Sequence, residues 1–197
     1  MRHGIALALA FFSIASASAA ADDGGFKWYA GAGIGVGLNA RYTLNGQHLS
    51  FDDGMPGATD KSGLAALNII NVGVELNSKT LLGFGGSLVA QTGKVNGNDA
   101  QIQINNYHAL LTYFPFERGF FVRGGGGLSS IYTNDATTKV HNSGVGVLVG
   151  AGYALNLVTH HYLTFTLDQS FQFYSSSTNK PKNSEFSAFY LGYMYRR

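Results

Sequence analysis

The chain has 197 residues, a formal net charge of +2, 27 glycines and no cysteine. Only 12% of its residues are charged, about half the usual share for a soluble domain. The lack of cysteine excludes a disulfide scaffold, thiol catalysis and cysteine-ligated zinc. The near-neutral balance argues against a nucleic-acid partner, and low charge with many glycines and aromatics is typical of a membrane barrel.

The first segment has the layout of a secretory signal peptide. A short basic start is followed by an apolar run at residues 5–14 and by small residues at 15–21. The apolar run is too short to span a membrane. We therefore predict a cleaved signal peptide at residues 1–21 and one outer-membrane β-barrel domain at 22–197.

The remaining chain alternates with a period of two residues, which predicts strands. Residues 28–38 alternate apolar side chains with glycines, and residues 145–155 repeat this pattern. Residues 163–174 carry an apolar face whose one polar member is Gln169. Together with five less regular segments, the predicted strands are 28–38, 62–76, 80–92, 101–114, 120–132, 145–155, 163–174 and 184–195.

The predicted connections alternate between long and short. Polar loops are expected at 39–61, 93–100, 133–142 and 175–183, and short turns at 77–79, 115–119 and 156–160. Barrels of the outer membrane have longer outer loops and short periplasmic turns. The sequence thus predicts an all-β fold, an eight-stranded antiparallel up-and-down transmembrane β-barrel.

Alternation does not itself show which face meets lipid, and a secreted lipocalin-like barrel has its apolar face inside. The second face here is mostly small or uncharged, which suits a narrow lumen better than a surface in water. Aromatic residues at the strand ends predict two interfacial girdles. The periplasmic girdle comprises Trp28, Tyr29, Tyr113, Phe114, Phe116, Phe120, Phe121, Tyr153, Tyr162, Tyr193 and Tyr195, and the outer one Tyr132, Phe171, Phe173, Tyr174 and Phe186.

These patterns resemble the small outer-membrane β-barrel family that includes the OmpA transmembrane domain, OmpX and OmpW-like proteins. The best local matches are residues 28–33, 113–115, 119–125 and 150–153. They are patterns of residue type and spacing, which are specific for architecture and weak for activity. The resemblance implies an integral outer-membrane protein, and its OmpW-like part implies a narrow path for small or hydrophobic solutes as an alternative role.

The C-terminal segment is similar to the assembly signal of such barrels, with Tyr190, Gly192, Tyr193 and Tyr195 as the matching residues. The chain departs from that signal by ending in two arginines rather than an aromatic residue.

Strand parity predicts a polar network in the lumen formed by Glu75, His108, Arg123 and Asp168. Charges in a narrow lumen must be paired, because an isolated buried charge is very unfavourable. One interpretation is a structural plug of ion pairs and hydrogen bonds. The other is a gated polar path whose pairs exchange partners, although eight strands leave no open channel.

The six histidines show no metal-binding spacing, and no metal or cofactor is predicted. No nucleophile-elbow motif occurs, so catalytic residues are not predicted. Positions alone would allow His141 with Ser143, or His48 with Ser50, in an outer-leaflet lipid-modifying enzyme.

We expect a non-enzymatic, monomeric integral protein of the outer membrane with a structural or surface-interaction role, its outer loops contacting partners. The expected partners are membrane lipids, lipopolysaccharide, periplasmic chaperones and the barrel-assembly machinery, and no nucleic acid.

Overall fold

The computed structural model describes residues 27–134, 139–175 and 180–197, so the predicted signal peptide lies outside it. These ranges contain nine strands. No helix within the described residues is long and apolar enough to cross a membrane. The strands are β1 (Trp28–Leu44), β2 (Gln47–Ser50), β3 (Ala65–Asn77), β4 (Thr80–Val95), β5 (Asn98–Tyr113), β6 (Gly119–Asn134), β7 (Lys139–Val158), β8 (His161–Tyr174) and β9 (Asn183–Arg196).

Eight of these strands close into an antiparallel barrel in chain order, with β9 pairing back onto β1. If paired residues are followed from strand to strand once around the barrel, the path that starts at Thr80 returns to the same strand at Ala90, ten residues further along. With eight strands, this stagger tilts the strands by about 40° from the barrel axis. The predicted eight-stranded barrel is confirmed.

The ninth strand corrects the prediction of a loop at 39–61. There β1 continues to Leu44 and turns back through Asn45 and Gly46, whose φ angles are 50° and 81°, into β2. A second turn of this kind, at Asn96 and Gly97, replaces the loop predicted at 93–100. Asn-Gly fits the two positive φ angles of a hairpin turn whose twist matches the strands, so pairing continues through these polar segments.

Strands β6 and β7 also extend into the loop predicted at 133–142, ending at Asn134 and beginning at Lys139. These extensions make the outer ends of the strands taller than a hydrocarbon core requires, because about ten tilted residues suffice to cross it.

Apolar side chains cover the outside of the barrel. Ile34 is 67% exposed, Leu128 68% and Val145 57%, whereas the charged residues Arg123 and Asp168 are buried inside. This is the reverse of a lipocalin-like barrel and confirms that the apolar face meets lipid.

The interior holds two apolar clusters that the prediction of small lumen side chains missed. We call the cluster at the periplasmic end the aromatic floor: Tyr29, Leu81, Phe114, Phe121, Ala154 and Met194. We call the cluster at the other end the upper cluster: Ala40, Tyr42, Phe51, Met55, Ala66, Val89, Ala100, Ile102, Ile104, Ile131, Tyr174, Phe186, Ala188 and Tyr190.

Five of the aromatics assigned to the girdles therefore lie inside. They are Tyr29, Phe114, Phe121, Tyr174 and Phe186, all less than a tenth exposed. The girdle prediction is wrong for these residues because their strand parity directs them to the lumen, where large rings are needed to close the two ends.

Candidate functional site in the barrel lumen

A buried ion pair occupies the middle of the lumen. Arg123 on β6 donates from Nε to Asp168 Oδ1 on β8 over 2.8 Å, and its Nη2 donates to Asp168 Oδ2. The two side chains are 4% and 0% exposed. Both residues lie opposite Gly150 on the intervening strand β7, and a Cβ atom there would stand 2.1 Å from Asp168 Oδ1. The glycine thus leaves the space in which the pair forms.

A chain of neutral hydrogen bonds lies beside the upper cluster. The Tyr174 hydroxyl is 2.6 Å from Ser184 Oγ, which donates to Gln172 Oε1 over 2.7 Å. Gln172 Nε2 donates in turn to Ser170 Oγ over 2.8 Å, and Asn106 Nδ2 reaches the same hydroxyl at 3.3 Å. Most polar groups here have partners, as buried polar groups require.

His108 also lies in the lumen and is 1% exposed, but its Nε2 atom has no hydrogen-bond partner. A small cavity of about 30 Å³ lies nearer the floor, and its lining includes Tyr29 and Tyr190, whose hydroxyls have no hydrogen-bond partner, but not His108. A space of this size holds about two water molecules.

The fourth predicted residue, Glu75, lies at the periplasmic end and pairs with a residue that the prediction omitted. Arg196 Nε donates to Glu75 Oε2 over 2.8 Å, and its Nη2 donates to the Ser78 carbonyl over 2.6 Å. Its Nη1 reaches the Glu117 carbonyl at 3.4 Å, and its guanidinium lies 5.2 Å from the centroid of the Phe114 ring. One side chain from the end of β9 thus links two periplasmic turns beneath the aromatic floor.

The segment that follows β2 folds over the outer mouth. Phe51 and Met55 are 1% and 3% exposed and belong to the upper cluster. The Phe51 ring packs edge-on against Tyr42, with 6.4 Å between centroids. The loop therefore contributes core side chains and partly fills the mouth of the barrel, where a cavity of about 160 Å³ remains beside Tyr42, Met55 and Ile102.

Polar contacts anchor this segment to β4. Gln91 Nε2 donates to Asp52 Oδ1 over 2.9 Å and to the Ser62 carbonyl over 3.1 Å. Thr59 and Lys94 exchange two backbone hydrogen bonds of 2.8 Å. At the start of the segment, the Ser50 hydroxyl and backbone amide both donate to the Asp53 carboxylate, which lowers the pKa of Asp53.

The predicted polar network is therefore two separate sites. Arg123 and Asp168 are brought together, with His108 in the same region of the lumen, while Glu75 lies apart at the periplasmic end. The residues of the proposed assembly signal also divide: Tyr190 faces the lumen, whereas Tyr193 and Tyr195 face outward. Gly192 faces Thr164 Oγ1 and the Ala32 carbonyl too closely for a side chain.

The histidine–serine pairs considered for catalysis do not form among the described residues. His48 Nδ1 lies 3.0 Å from Thr43 Oγ1, and the Ser50 hydroxyl donates to Asp53. His160 Nδ1 lies 2.8 Å from the Arg196 carbonyl. In the same part of the chain, no three histidine, aspartate or glutamate side chains converge as they would around a metal ion.

The comparison with protein families agrees with the architecture. The family model for the outer membrane protein beta-barrel domain matches residues 5–196. This chain belongs to that family. It is therefore an integral outer-membrane β-barrel protein, as predicted from its strand pattern and aromatic content. A search of the curated proteins found no match.

Two solved structures of small barrels share this fold. Neisserial surface protein A is 13% identical with a TM-score of 0.54, and the alignment covers 85% of this chain and 96% of that one. The attachment invasion locus protein Ail of Yersinia pestis, solved with the heparin analogue sucrose octasulfate, is 15% identical with a TM-score of 0.52, covering 87% and 99%. At these identities, the likeness shows the fold alone.

Proposed function

We propose that this protein has a non-enzymatic role, in which the barrel acts as a structural element of the outer membrane and its outer loops contact partners. It acts as a monomer in this proposal. The observation that carries the proposal is the filling of the lumen at both ends. The aromatic floor and Arg196 occupy the periplasmic end, while Phe51 and Met55 occupy the outer mouth.

This filling favours the structural role over a narrow channel. A solute would have to displace the loop that is anchored through Gln91, then separate Arg123 from Asp168, and finally pass the floor. The second of these steps separates a buried ion pair, and leaving one charge of such a pair unpaired costs about 3–5 kcal/mol. The other alternative, an enzyme that modifies outer-leaflet lipids, would need an activated nucleophile, and the described serines and histidines form no such pair.

The proposed partners are the lipids around the barrel, including lipopolysaccharide, together with the periplasmic chaperones and assembly machinery that insert it. For assembly, we propose Tyr193 and Tyr195 as the contacted side chains, because they face outward at the end of β9. Tyr190 and Gly192 then contribute by packing inside the barrel.

Conductance in planar bilayers tests the structural role against the channel. We expect no discrete current steps from the refolded wild-type protein. A double variant, Phe114→Ala with Phe121→Ala, removes two floor rings whose centroids are 5.3 Å apart and tests whether the floor alone closes the lumen, because the ion pair and the outer loop remain in place. Discrete steps from the wild-type protein would replace the structural role with the narrow channel.

Two measurements on cells complete the test. Mass spectrometry of lipid A should be unchanged by expression of the protein, and a new lipid A species would establish an enzyme. A strain that lacks the gene should be more sensitive to detergent than its parent, and the wild-type gene should restore resistance. Two results together would show that the proposed role is wrong. The deletion strain would be no more sensitive to detergent than its parent, and shortening the outer hairpin, with β2 replaced by a two-residue turn, would not change binding of partners to the cell surface.

A further inference from the structure

A row of amide side chains stands on the outside of the barrel, just above the lipid-facing band. Gln101, Gln103 and Asn105 occupy alternate positions of β5, on the same face as the exposed Tyr107. We call these three residues the amide ladder. Their outward direction follows from parity, since Ile102 and Ile104 between them are buried in the lumen.

The ladder is held in one conformation by its own hydrogen bonds. Gln101 Nε2 donates to Gln103 Oε1 over 2.7 Å, and Gln103 Nε2 donates to Asn105 Oδ1 over 2.5 Å. Asn105 Nδ2 then approaches Ser130 Oγ on β6 at 3.4 Å. These side chains are therefore ordered before any ligand arrives, which reduces the entropy lost on binding.

Each amide in the row keeps unused hydrogen-bonding capacity. A carboxamide has two N–H donors and two acceptor lone pairs, and the contacts within the ladder use one of each at Gln103 and at Asn105. At Gln103 and at Asn105, one N–H donor and one acceptor lone pair therefore remain unused. A hydroxyl group both donates and accepts, so adjacent hydroxyls of a sugar match this arrangement, whereas a phosphate oxygen can only accept.

The height of the ladder points to a tall headgroup. Tyr107 and the apolar residues below it mark the lipid band on β5, and Asn105 is the first polar position above them. Four residues of strand at a tilt of about 40° place Gln101 about 10 Å higher than Asn105. A phospholipid headgroup layer is only about 5–8 Å thick, so a longer polar headgroup is needed to cover the whole ladder.

The direct cross-strand neighbours of the ladder carry no formal charge. They are Ala90 and Thr92 on β4 and Ser130, Tyr132 and Asn134 on β6, and one strand further β7 places Ser143, His141 and Lys139 in register with the β6 residues. On the opposite side of the barrel, the corresponding zone holds the charged cross-strand neighbours Arg41 and Glu185. The amides and their direct neighbours therefore suit the hydroxyl groups of a ligand, and the nearest cation in register is Lys139 on β7.

We propose that the amide ladder binds the sugar portion of the outer-leaflet glycolipid, lipopolysaccharide. This inference rests on the proposed contact with lipopolysaccharide and names the surface that makes it. The amides bind sugar hydroxyls, and the apolar side chains below pack against the acyl chains of the same molecule.

Binding of fluorescent lipopolysaccharide to the refolded protein in zwitterionic micelles tests the proposal. Gln103→Met keeps the side-chain length and removes the central amide, and we expect it to weaken binding about threefold to tenfold, the effect of one or two neutral hydrogen bonds. Asn105→Leu provides an independent second removal. Gln169→Met is the matched control, because Gln169 is an outward amide on β8 that is hydrogen-bonded to Ser187. A heat-dependent gel shift verifies that each variant is folded.

The possible outcomes distinguish two questions: whether the protein binds lipopolysaccharide, and whether the amide ladder is the surface that binds it. Weaker binding by both ladder variants, an unchanged control and an unchanged affinity for phosphatidylglycerol would support the proposal. If both ladder variants keep the wild-type preference for lipopolysaccharide, the amide ladder is not the binding surface, although the protein still binds lipopolysaccharide. A wild-type protein with no preference over phosphatidylglycerol would overturn both, and a dimer that Gln103→Met dissociates would assign the surface to a second copy.

Discussion

Replacing Asp168 by asparagine should strongly destabilise the barrel although it changes only one side-chain atom. The substitution leaves the Arg123 guanidinium buried without its counter-charge, with the side chain only 4% exposed. Removing one partner of a buried ion pair costs about 3–5 kcal/mol of the free energy of unfolding. We expect Arg123→Met to destabilise the barrel by a similar amount, because it leaves the carboxylate alone.

The double variant Arg123→Met with Asp168→Leu should recover most of the loss. Replacing a buried ion pair by apolar side chains of similar volume is often neutral or stabilising. The double-mutant cycle should therefore give a coupling free energy of about 3 kcal/mol or more. Lys61→Ala supplies the comparison, because the Lys61–Asp52 pair is solvent-exposed and its loss should cost less than about 1 kcal/mol.

Urea unfolding in phospholipid vesicles measures these free energies, with tryptophan fluorescence as the signal. Trp28 is the only tryptophan, and its ring lies 5.1 Å from that of Tyr195 across the β1–β9 seam, so its fluorescence reports on barrel closure. If Asp168→Asn unfolds within about 1 kcal/mol of the wild type and the two single effects are additive, the charges are solvated by a hydrated lumen, and the reasoning from burial is refuted.

Three further predictions concern other parts of the molecule. Arg196→Ala should lower the free energy of unfolding by about 1–3 kcal/mol, because it removes the nearer cation of the Glu75 carboxylate, leaves only Lys27 at 3.9 Å, and removes a ring contact. Gly150→Ala should destabilise by several kcal/mol, roughly the cost of overpacking plus loss of the ion pair, and should raise the urea sensitivity of the barrel. The pKa of Asp53 is lowered by hydrogen bonds from Ser50, so the turn they form should be fully present above the ordinary carboxyl pKa and lost as pH falls through the lowered one. An NMR titration measures this, and Ser50→Ala should raise the pKa of Asp53.

Controls distinguish these mechanisms from general damage. Arg118→Ala removes an exposed arginine at the same end of the barrel and should leave the free energy of unfolding within about 0.5 kcal/mol. Gly126→Ala adds a methyl group that meets no atom closer than 3.5 Å and should be tolerated. Equal losses for Gly126→Ala and Gly150→Ala would argue against a specific clash, and an unchanged Asp53 titration in Ser50→Ala would contradict the assigned cause.

Strand parity allowed the sequence to predict the barrel and the inward direction of its charges. Arg123 and Asp168 lie at lumen positions of alternating strands, and a period of two residues fixes that face. Their partnership was not predictable, because they meet across β7 and the meeting depends on the register of two ladders. The signal that could have revealed it is Gly150, the residue opposite both of them.

The errors in the prediction have two physical sources. Polar Asn-Gly segments suggested loops, but Asn96 and Gly97 supply the positive φ angles of a tight hairpin turn, so the strands continue. Arg196 was interpreted as a departure from a terminal aromatic residue. Its actual contacts join residues about 80 and 120 positions earlier in the chain, and local pattern contains no information about such distant pairs.

Arg196 and Met194 lie near the end of the last strand, so their contacts with the first part of the chain require the barrel to be closed. The floor takes Tyr29 from the first strand and Met194 from the ninth, so it is completed only when these two strands pair. The contacts of Arg196 with Glu75 and Ser78 form at the same moment. Interactions that appear only after the rate-limiting step slow unfolding rather than speed folding. The contacts at the periplasmic end should therefore lower the unfolding rate of the barrel once β1 and β9 have paired, so that insertion into the membrane is slow to reverse.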